Sequence, residues 1–179
     1  GAKPATIMHQ LAKGYSDDQA KALAFYTDVL GFEHCGTLAI PGIPDVKFRF
    51  YRGDKTRHHD LAIVQAPDPS QFPAADTEWQ MFGNRVGINH IAICYPDRET
   101  FLARLAHLQK KGVEFRMRGN HGMTHSVYVS DPDGNGVEVL YDLPAEVWKG
   151  DVNAALNYWE PVAAEGDAAL ADSTDYHRF

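Results

Sequence analysis

One pattern of predicted elements, a strand, a helix and then three strands, occurs twice along the chain, and this repeat limits the folds open to it. In the first copy we predict a strand near Thr6–Ala12 and an amphipathic helix over Asp17–Leu30 that ends at Gly31. Turn-forming residues then separate three predicted strands, at Glu33–Ile40, Val46–Arg52 and His58–Gln65.

The second copy begins with a predicted strand at Ile88–Tyr95 and a helix over Arg98–Lys111 that ends at Gly112. Its three predicted strands are Val113–Met117, Ser126–Ser130 and Val137–Tyr141. The two copies also agree in spacing, because His9 precedes Gly31 by the same number of residues that separates His90 from Gly112. The sequence therefore predicts an α+β fold in which two βαβββ modules form a curved, partly closed mixed sheet.

The domain boundaries follow from this repeat. We predict a first module over residues 5–65, a connection over 66–87, a second module over 88–143 and a C-terminal helical tail over 144–179, all within one domain. Beyond Trp159 the tail is rich in Ala, Asp and Glu, and we expect it to be mobile. Its aromatic residues, Trp148, Tyr158 and Trp159, are expected to pack the tail helix rather than to clamp a substrate.

Charge and composition exclude several partner classes. A formal net charge of −7 argues against binding to nucleic acid or to an anionic membrane surface. No apolar run reaches the length of a membrane span, and two distant cysteines do not make a disulfide framework. We therefore expect a cytoplasmic protein, and a homo-oligomer, because exposed sheet edges of small proteins often pair.

A hairpin near the end of the second module carries a carboxylate in an unusual place. Period-two alternation puts Ser126 and Tyr128 on one face of the first strand, and Glu138 lies within a run of β-forming residues on the next strand. An acidic side chain in such a run needs a partner, and a metal ion is a common one.

Two histidines can supply that metal site. His9 and His90 occupy equivalent positions in the two copies, and with Glu138 they would form the two-histidine, one-carboxylate triad of non-haem Fe(II) sites. The alternatives are that strand histidines are structural and that Glu138 pairs with Arg116 or Arg118. The equivalence of the two histidines favours the metal site, which the curved sheet would surround.

Four segments resemble the vicinal oxygen chelate (glyoxalase/bleomycin resistance) superfamily and, within it, the type I extradiol catechol dioxygenases. The likeness spans roughly residues 5–143. Better-known members carry an additional N-terminal domain of the same repeat, so the resemblance implies a single-domain form. The segments are residues 24–32 (AFYTDVLGF), 57–64 (RHHDLAIV), 88–92 (INHIA) and 128–138 (YVSDPDGNGVE).

The resemblance implies a role for each matching residue. His9, His90 and Glu138 match the ligands of Fe(II), and the same ligand set also suits Mn(II). His59 matches the active-site acid and base, and Tyr128 matches the tyrosine that bonds the substrate oxygens.

A loop histidine completes the implied site. His121 resembles a histidine that contacts substrate, and His125 is the competing candidate. Together these residues imply an oxidoreductase of aromatic hydrocarbon catabolism that opens a catechol-type diol with O₂.

Two other classes remain open. One is another metal-dependent member of the superfamily, such as a thiol transferase, isomerase or epimerase. The other is a metal-free small-molecule-binding protein of the same fold. An isomerase generally needs a further carboxylate on the last strand of the first module, and Leu61–Val64 carries none, with Asp60 at its start.

Overall fold

The computed structural model describes residues 10–12, 19–40, 43–56, 58–65, 79–81 and 88–179. The predicted ligand His9 and most of the predicted connection 66–87 lie outside these residues. The chain divides into two compact units. Of the described residues, the first unit comprises those between 10 and 89 and residues 130–136, and the second comprises 90–129 and 137–179.

The first unit is built on a four-stranded sheet with the order β1-β4-β3-β2. Strands β1 and β4 are parallel, and the other neighbours are antiparallel. The helix starts as an α-helix and ends as a π-helix, because Leu30 N–H donates to Phe25 O at 2.9 Å. The elements in chain order are β1 (Gln10–Ala12), α1 (Gln19–Ala24), the π-helix (Phe25–Val29), β2 (Glu33–Ile40), β3 (Ile43–Arg52) and β4 (Leu61–Gln65).

The second unit holds a five-stranded sheet with the order β5-β8-β7-β6-β9. Its main helix, α2, begins at an N-cap, where the Asp97 side chain accepts a hydrogen bond from Thr100 N at 2.7 Å. The elements in chain order are β5 (His90–Tyr95), α2 (Arg98–Lys110), β6 (Met117–Asn120), β7 (Thr124–Ser130), β8 (Gly136–Asp142), α3 (Ala145–Trp148), α4 (Val152–Leu156), β9 (Glu160–Pro161) and a 3-10 helix (Asp167–Leu170).

The α+β class is confirmed, and so are the two glycines predicted to end the helices. Gly31 and Gly112 have φ angles of 82° and 75°, a left-handed conformation that glycine adopts without a steric cost. Because both helices end in this way, each chain segment can turn back onto its sheet.

Several strand boundaries differ from the prediction, most of all in the second unit. The strand expected at Val113–Met117 lies instead at Met117–Asn120, where Met117 pairs with Tyr128. Val113 N–H donates to the Leu108 carbonyl at 3.0 Å, so this residue belongs to the end of α2. The pairing partner, and not local β propensity, therefore sets where the strand begins.

The last strand of the first unit also starts later than expected, at Leu61 instead of His58. The preceding residues form a turn in which the Asp60 carboxylate accepts a hydrogen bond from Gly53 N at 2.9 Å. Asp60 N–H donates to Tyr51 O at 2.8 Å, which joins the end of this turn to β3.

The expectation of a mobile C-terminal tail is wrong. The residues beyond Trp159 contain a two-residue strand, which pairs with β6, and a 3-10 helix, and they belong to the second unit. The Asp172 side chain is only 1% exposed, and its carboxylate lies 2.8 Å from the Arg118 guanidinium. A buried ion pair of this kind holds the tail against β6. No helix among the described residues combines the length and the apolar character needed to cross a membrane.

Candidate functional site

The carboxylate of Glu138 is the centre of a hydrogen-bonded cluster in the second unit. Its side chain is buried, with 7% of the residue exposed. Tyr128 Oη donates to Glu138 Oε1 at 2.8 Å, and His90 Nε2 lies 3.1 Å from Glu138 Oε2. Burial raises the pKa of Glu138, but hydrogen bonds from His90, Ser126 and Tyr128 outweigh it and hold the pKa below its ordinary value. Glu138 is therefore an ionised carboxylate at neutral pH.

Strand order explains why these three side chains meet. β8 lies between β5 and β7, so Glu138 has His90 on one neighbouring strand and Tyr128 on the other. Alternation sends the flanking Val137 and Val139 to the opposite face, where both are completely buried. The sequence thus places a polar row on one sheet face and an apolar core on the other.

The donor set of this cluster fits a divalent metal. Imidazole nitrogen and carboxylate oxygen are both ligands of non-haem Fe(II). Two ligands about 2.1 Å from a metal and at right angles lie about 3 Å from each other. The His90–Glu138 separation of 3.1 Å matches that spacing. In the part of the chain that the structure describes, no group of three or more metal-binding side chains occurs, and the predicted third ligand, His9, lies outside it.

His121 joins the cluster through Tyr128. The Tyr128 hydroxyl donates its hydrogen bond to Glu138, so its oxygen can accept a hydrogen bond from His121 Nε2, which lies 3.0 Å away. Burial, aided by the nearby Glu138 charge, raises the pKa of Tyr128, and the phenol stays protonated. For His121, burial has the opposite effect and lowers the pKa, which favours the neutral imidazole.

His125, the competing histidine, faces the other side of the sheet. It is only 4% exposed, its Nδ1 lies 2.9 Å from Asp172 Oδ1, and its ring contacts that of Tyr141. Tyr141 in turn packs against Phe101 of α2, at a centroid distance of 5.1 Å. The structure therefore brings His121, and not His125, to Tyr128. The role of His121 toward substrate stays a prediction.

His59 lies in the first unit, just before β4, and its ring packs against Phe50 at a centroid distance of 4.7 Å. Its Nδ1 lies 2.7 Å from His58 Nδ1, so one of the two imidazoles donates and the other accepts. This contact couples the tautomers of the two rings. The assignment of His59 as acid and base remains a prediction that rests on the sequence motif.

Sequence patterns did not reveal one residue beside this cluster, Trp159. Its ring lies 4.7 Å from that of His121, between centroids, and a Cβ atom at Gly119 would overlap it. Trp159 directly precedes β9, which pairs with β6, so a long-range strand contact positions it. The sequence signal for this contact is the glycine two residues before His121, and its meaning is clear only when the structure is known.

Comparison with known proteins places these observations in a family. The model of the Glyoxalase/Bleomycin resistance protein/Dioxygenase superfamily matches residues 9–139. The chain belongs to this superfamily. The match begins in the first unit, extends through much of the second, and includes His90, Tyr128 and Glu138.

The curated relatives of this chain include proteins that are named as dioxygenases. The chain is 40% identical over 65 residues to a catechol-2,3-dioxygenase of Bacillus subtilis, a match covering 36% of this chain and 22% of the relative. It is 34% identical over 88 residues to biphenyl-2,3-diol 1,2-dioxygenase 3 of Rhodococcus globerulus, covering 48% of this chain and 41% of the relative. The chain thus spans well under half the length of each.

Solved structures show the shared fold. A glyoxalase/dioxygenase from Nostoc punctiforme superposes with a TM-score of 0.52 at 16% identity, covering 78% of this chain and 92% of that one. The glyoxalase I of Leishmania major gives a TM-score of 0.51 at 22% identity, covering 76% and 86%. At these identities the likeness concerns architecture alone.

Proposed function

We propose that this protein is an extradiol ring-cleaving dioxygenase that opens a catechol-type aromatic diol with O₂ at a non-haem Fe(II) site. The observation that carries the proposal is the buried Glu138 carboxylate, which contacts His90 Nε2 at 3.1 Å and Tyr128 Oη at 2.8 Å. The names of the Bacillus and Rhodococcus relatives support it.

The metal would be held by His90 and Glu138 and, on the argument from the repeat, by His9. When bound, Fe(II) supplies the redox chemistry that lets a catechol react with O₂, and Mn(II) is the alternative metal for this ligand set. The ionised state of Glu138 suits this role, since a protonated carboxyl would be a poor ligand.

The other residues of the cluster bind and orient the diol. Tyr128 and His121 carry hydrogen-bonding groups 3.0 Å apart that can hold a substrate oxygen. His59 would take the proton of a catechol hydroxyl and later return a proton to an oxygen atom that came from O₂, as the O–O bond breaks. Cleavage of the carbon–carbon bond beside the diol, with both atoms of O₂ entering the product, gives a ring-opened compound of the hydroxymuconic semialdehyde type. Such a reaction belongs to cytoplasmic breakdown of aromatic compounds.

Asp60, the acidic residue just before β4, has a structural role in place of the metal-ligand role that an isomerase would need. Asp60 is buried, and its side chain accepts the hydrogen bond from Gly53 N that closes the turn before β4. β4 itself, Leu61–Gln65, carries no acidic residue. This arrangement favours the dioxygenase over a glyoxalase-like isomerase.

Oxygen consumption on a panel of catechols tests the proposal. The protein is purified without oxygen, loaded with Fe(II), and mixed with each catechol and O₂ while oxygen uptake and a yellow product are followed. We expect about one Fe(II) per chain, with turnover of at least one catechol. Binding of Zn(II) or Ni(II) with no oxygen uptake across the panel would contradict the dioxygenase and favour another metal-dependent activity. Absence of metal binding would favour a metal-free binding protein.

A further inference from the structure

An exposed tryptophan lies at one end of the candidate site. Trp159 is 42% exposed, although one side of its indole packs on the His121 ring and over the backbone of Gly119. A tryptophan that served only to fill the core would be far more buried. The geometry therefore leaves part of a large apolar ring facing solvent directly beside a predicted substrate contact.

Four rings follow one another across this part of the second unit. The centroid of His90 lies 5.3 Å from that of Tyr128, Tyr128 lies 6.1 Å from His121, and His121 lies 4.7 Å from Trp159. The two oxygens of a catechol belong at the His90 end, beside Glu138. A substituent on the catechol ring would then extend past His121 toward Trp159.

We propose that Trp159 determines substrate specificity, because the exposed part of its indole contacts an apolar substituent of the catechol ring. Uncharged alkyl- or aryl-substituted catechols are then preferred over carboxylated ones, because a carboxylate would lose hydration against an apolar ring. This inference rests on the proposed dioxygenase function and adds to it the class of catechol. It also assigns a binding role to a residue that the sequence marks only as packing for the tail.

Steady-state kinetics with three substrates tests the assignment. Unsubstituted catechol, 3-phenylcatechol and 3,4-dihydroxybenzoate are compared in the wild type and in Trp159→Ala. We expect the variant to lower kcat/KM for 3-phenylcatechol by about tenfold, the range of a lost aromatic pair, mainly through KM. The values for catechol should stay within about twofold, because catechol lacks the substituent.

Two further variants separate binding from folding. Trp159→Leu keeps an apolar side chain in place and should retain an intermediate preference even if the alanine variant does not fold. Leu156→Ala is the matched control, since Leu156 is an exposed apolar residue of the same segment, 67% exposed, and should leave all three kcat/KM values unchanged. An equal loss for all three substrates in both Trp159 variants would mean a structural role only and would overturn the proposal.

Fluorescence supplies a readout that needs no turnover. Under anaerobic conditions, 3-phenylcatechol is titrated into Fe(II)-loaded wild type and into Trp159→Phe, and the difference in tryptophan emission isolates the contribution of Trp159. We expect quenching of this difference signal by 3-phenylcatechol and little by catechol. If the wild type opens no catechol, the proposed function fails. If it opens catechols but shows neither the kinetic nor the fluorescence difference, only the specificity inference fails.

Discussion

Replacement of Asp172 by asparagine should destabilise the second unit strongly, because it removes a buried charge opposite a buried guanidinium. Asp172 and Arg118 side chains are both 1% exposed, and their nearest charged atoms are 2.8 Å apart. His125 Nδ1 and Tyr141 Oη also contact the carboxylate, at 2.9 and 2.7 Å. Loss of one partner of a buried ion pair typically costs about 3–5 kcal/mol of the free energy of unfolding, since the other charge stays buried and uncompensated.

Thermal unfolding followed by circular dichroism measures this effect. A loss of about 3–5 kcal/mol corresponds to a fall in Tm of roughly 6–20 °C for a chain of this size. The matched control is Glu33→Gln, which removes the carboxylate of the exposed Arg52–Glu33 pair, whose charged atoms are 3.0 Å apart. The Glu33 side chain is 47% exposed, so water solvates either state and Tm should stay close to the wild-type value. Equal shifts for the two variants would refute the reasoning from burial.

The same carboxylate predicts a pH dependence. Burial raises the pKa of Asp172, but hydrogen bonds from His125 and Tyr141 and the charge of Arg118 outweigh it and hold the pKa below its ordinary value. A carboxyl with a lower pKa in the folded state stabilises the fold above its unfolded pKa and loses that contribution as the pH falls. The difference in stability between the wild type and Asp172→Asn should therefore be largest near neutrality and shrink below about pH 4.

Three further substitutions test the candidate site. Tyr128→Phe removes the hydrogen bond to Glu138 and should slow catechol turnover roughly tenfold to a hundredfold while lowering Tm by only a few degrees, as expected for one bond to a charged group; a normal rate would exclude a role for the hydroxyl. His59→Gln should slow turnover by about a hundredfold or more while iron content, measured by metal analysis, stays at the wild-type level; loss of iron would instead make His59 a ligand. His121→Ala should lower turnover more than Tm, and His125→Ala should lower Tm more than turnover, because the two rings lie on opposite faces of the sheet; the reverse pattern would exchange their roles.

Local patterns predicted the parts of the fold that depend on near neighbours. The helix-ending glycines, Gly31 and Gly112, were identified because few other residues tolerate a positive φ. Tyr128 and Glu138 belong to one hairpin that turn residues and alternation predicted, and the structure places their side chains 2.8 Å apart. His90 could be predicted as a residue of the site because the repeat identifies its strand. That this strand, β5, lies beside β8 is known only from the order of strands in the sheet.

Contacts between distant parts of the chain escaped prediction. The choice between His121 and His125 depends on the register of β6 with β7, which pairs Asn120 with His125 and leaves His121 in the loop beyond. Local sequence rules do not set that register. The strand predicted at Val113–Met117 would have given a different register with β7. The tail was expected to be mobile because its composition is polar, yet Asp172 is buried against β6.

The sequence by itself determined the repeated βαβββ pattern and the hairpin that carries Tyr128 and Glu138, since both follow from side-chain alternation and turn chemistry over short distances. Only the tertiary structure decided which histidine reaches Tyr128 and that Trp159 and Asp172 lie on the second unit. These placements depend on strand pairing and on burial of charge between residues far apart in the chain. Their energies depend on the partner's position in space, which no local pattern of residues encodes.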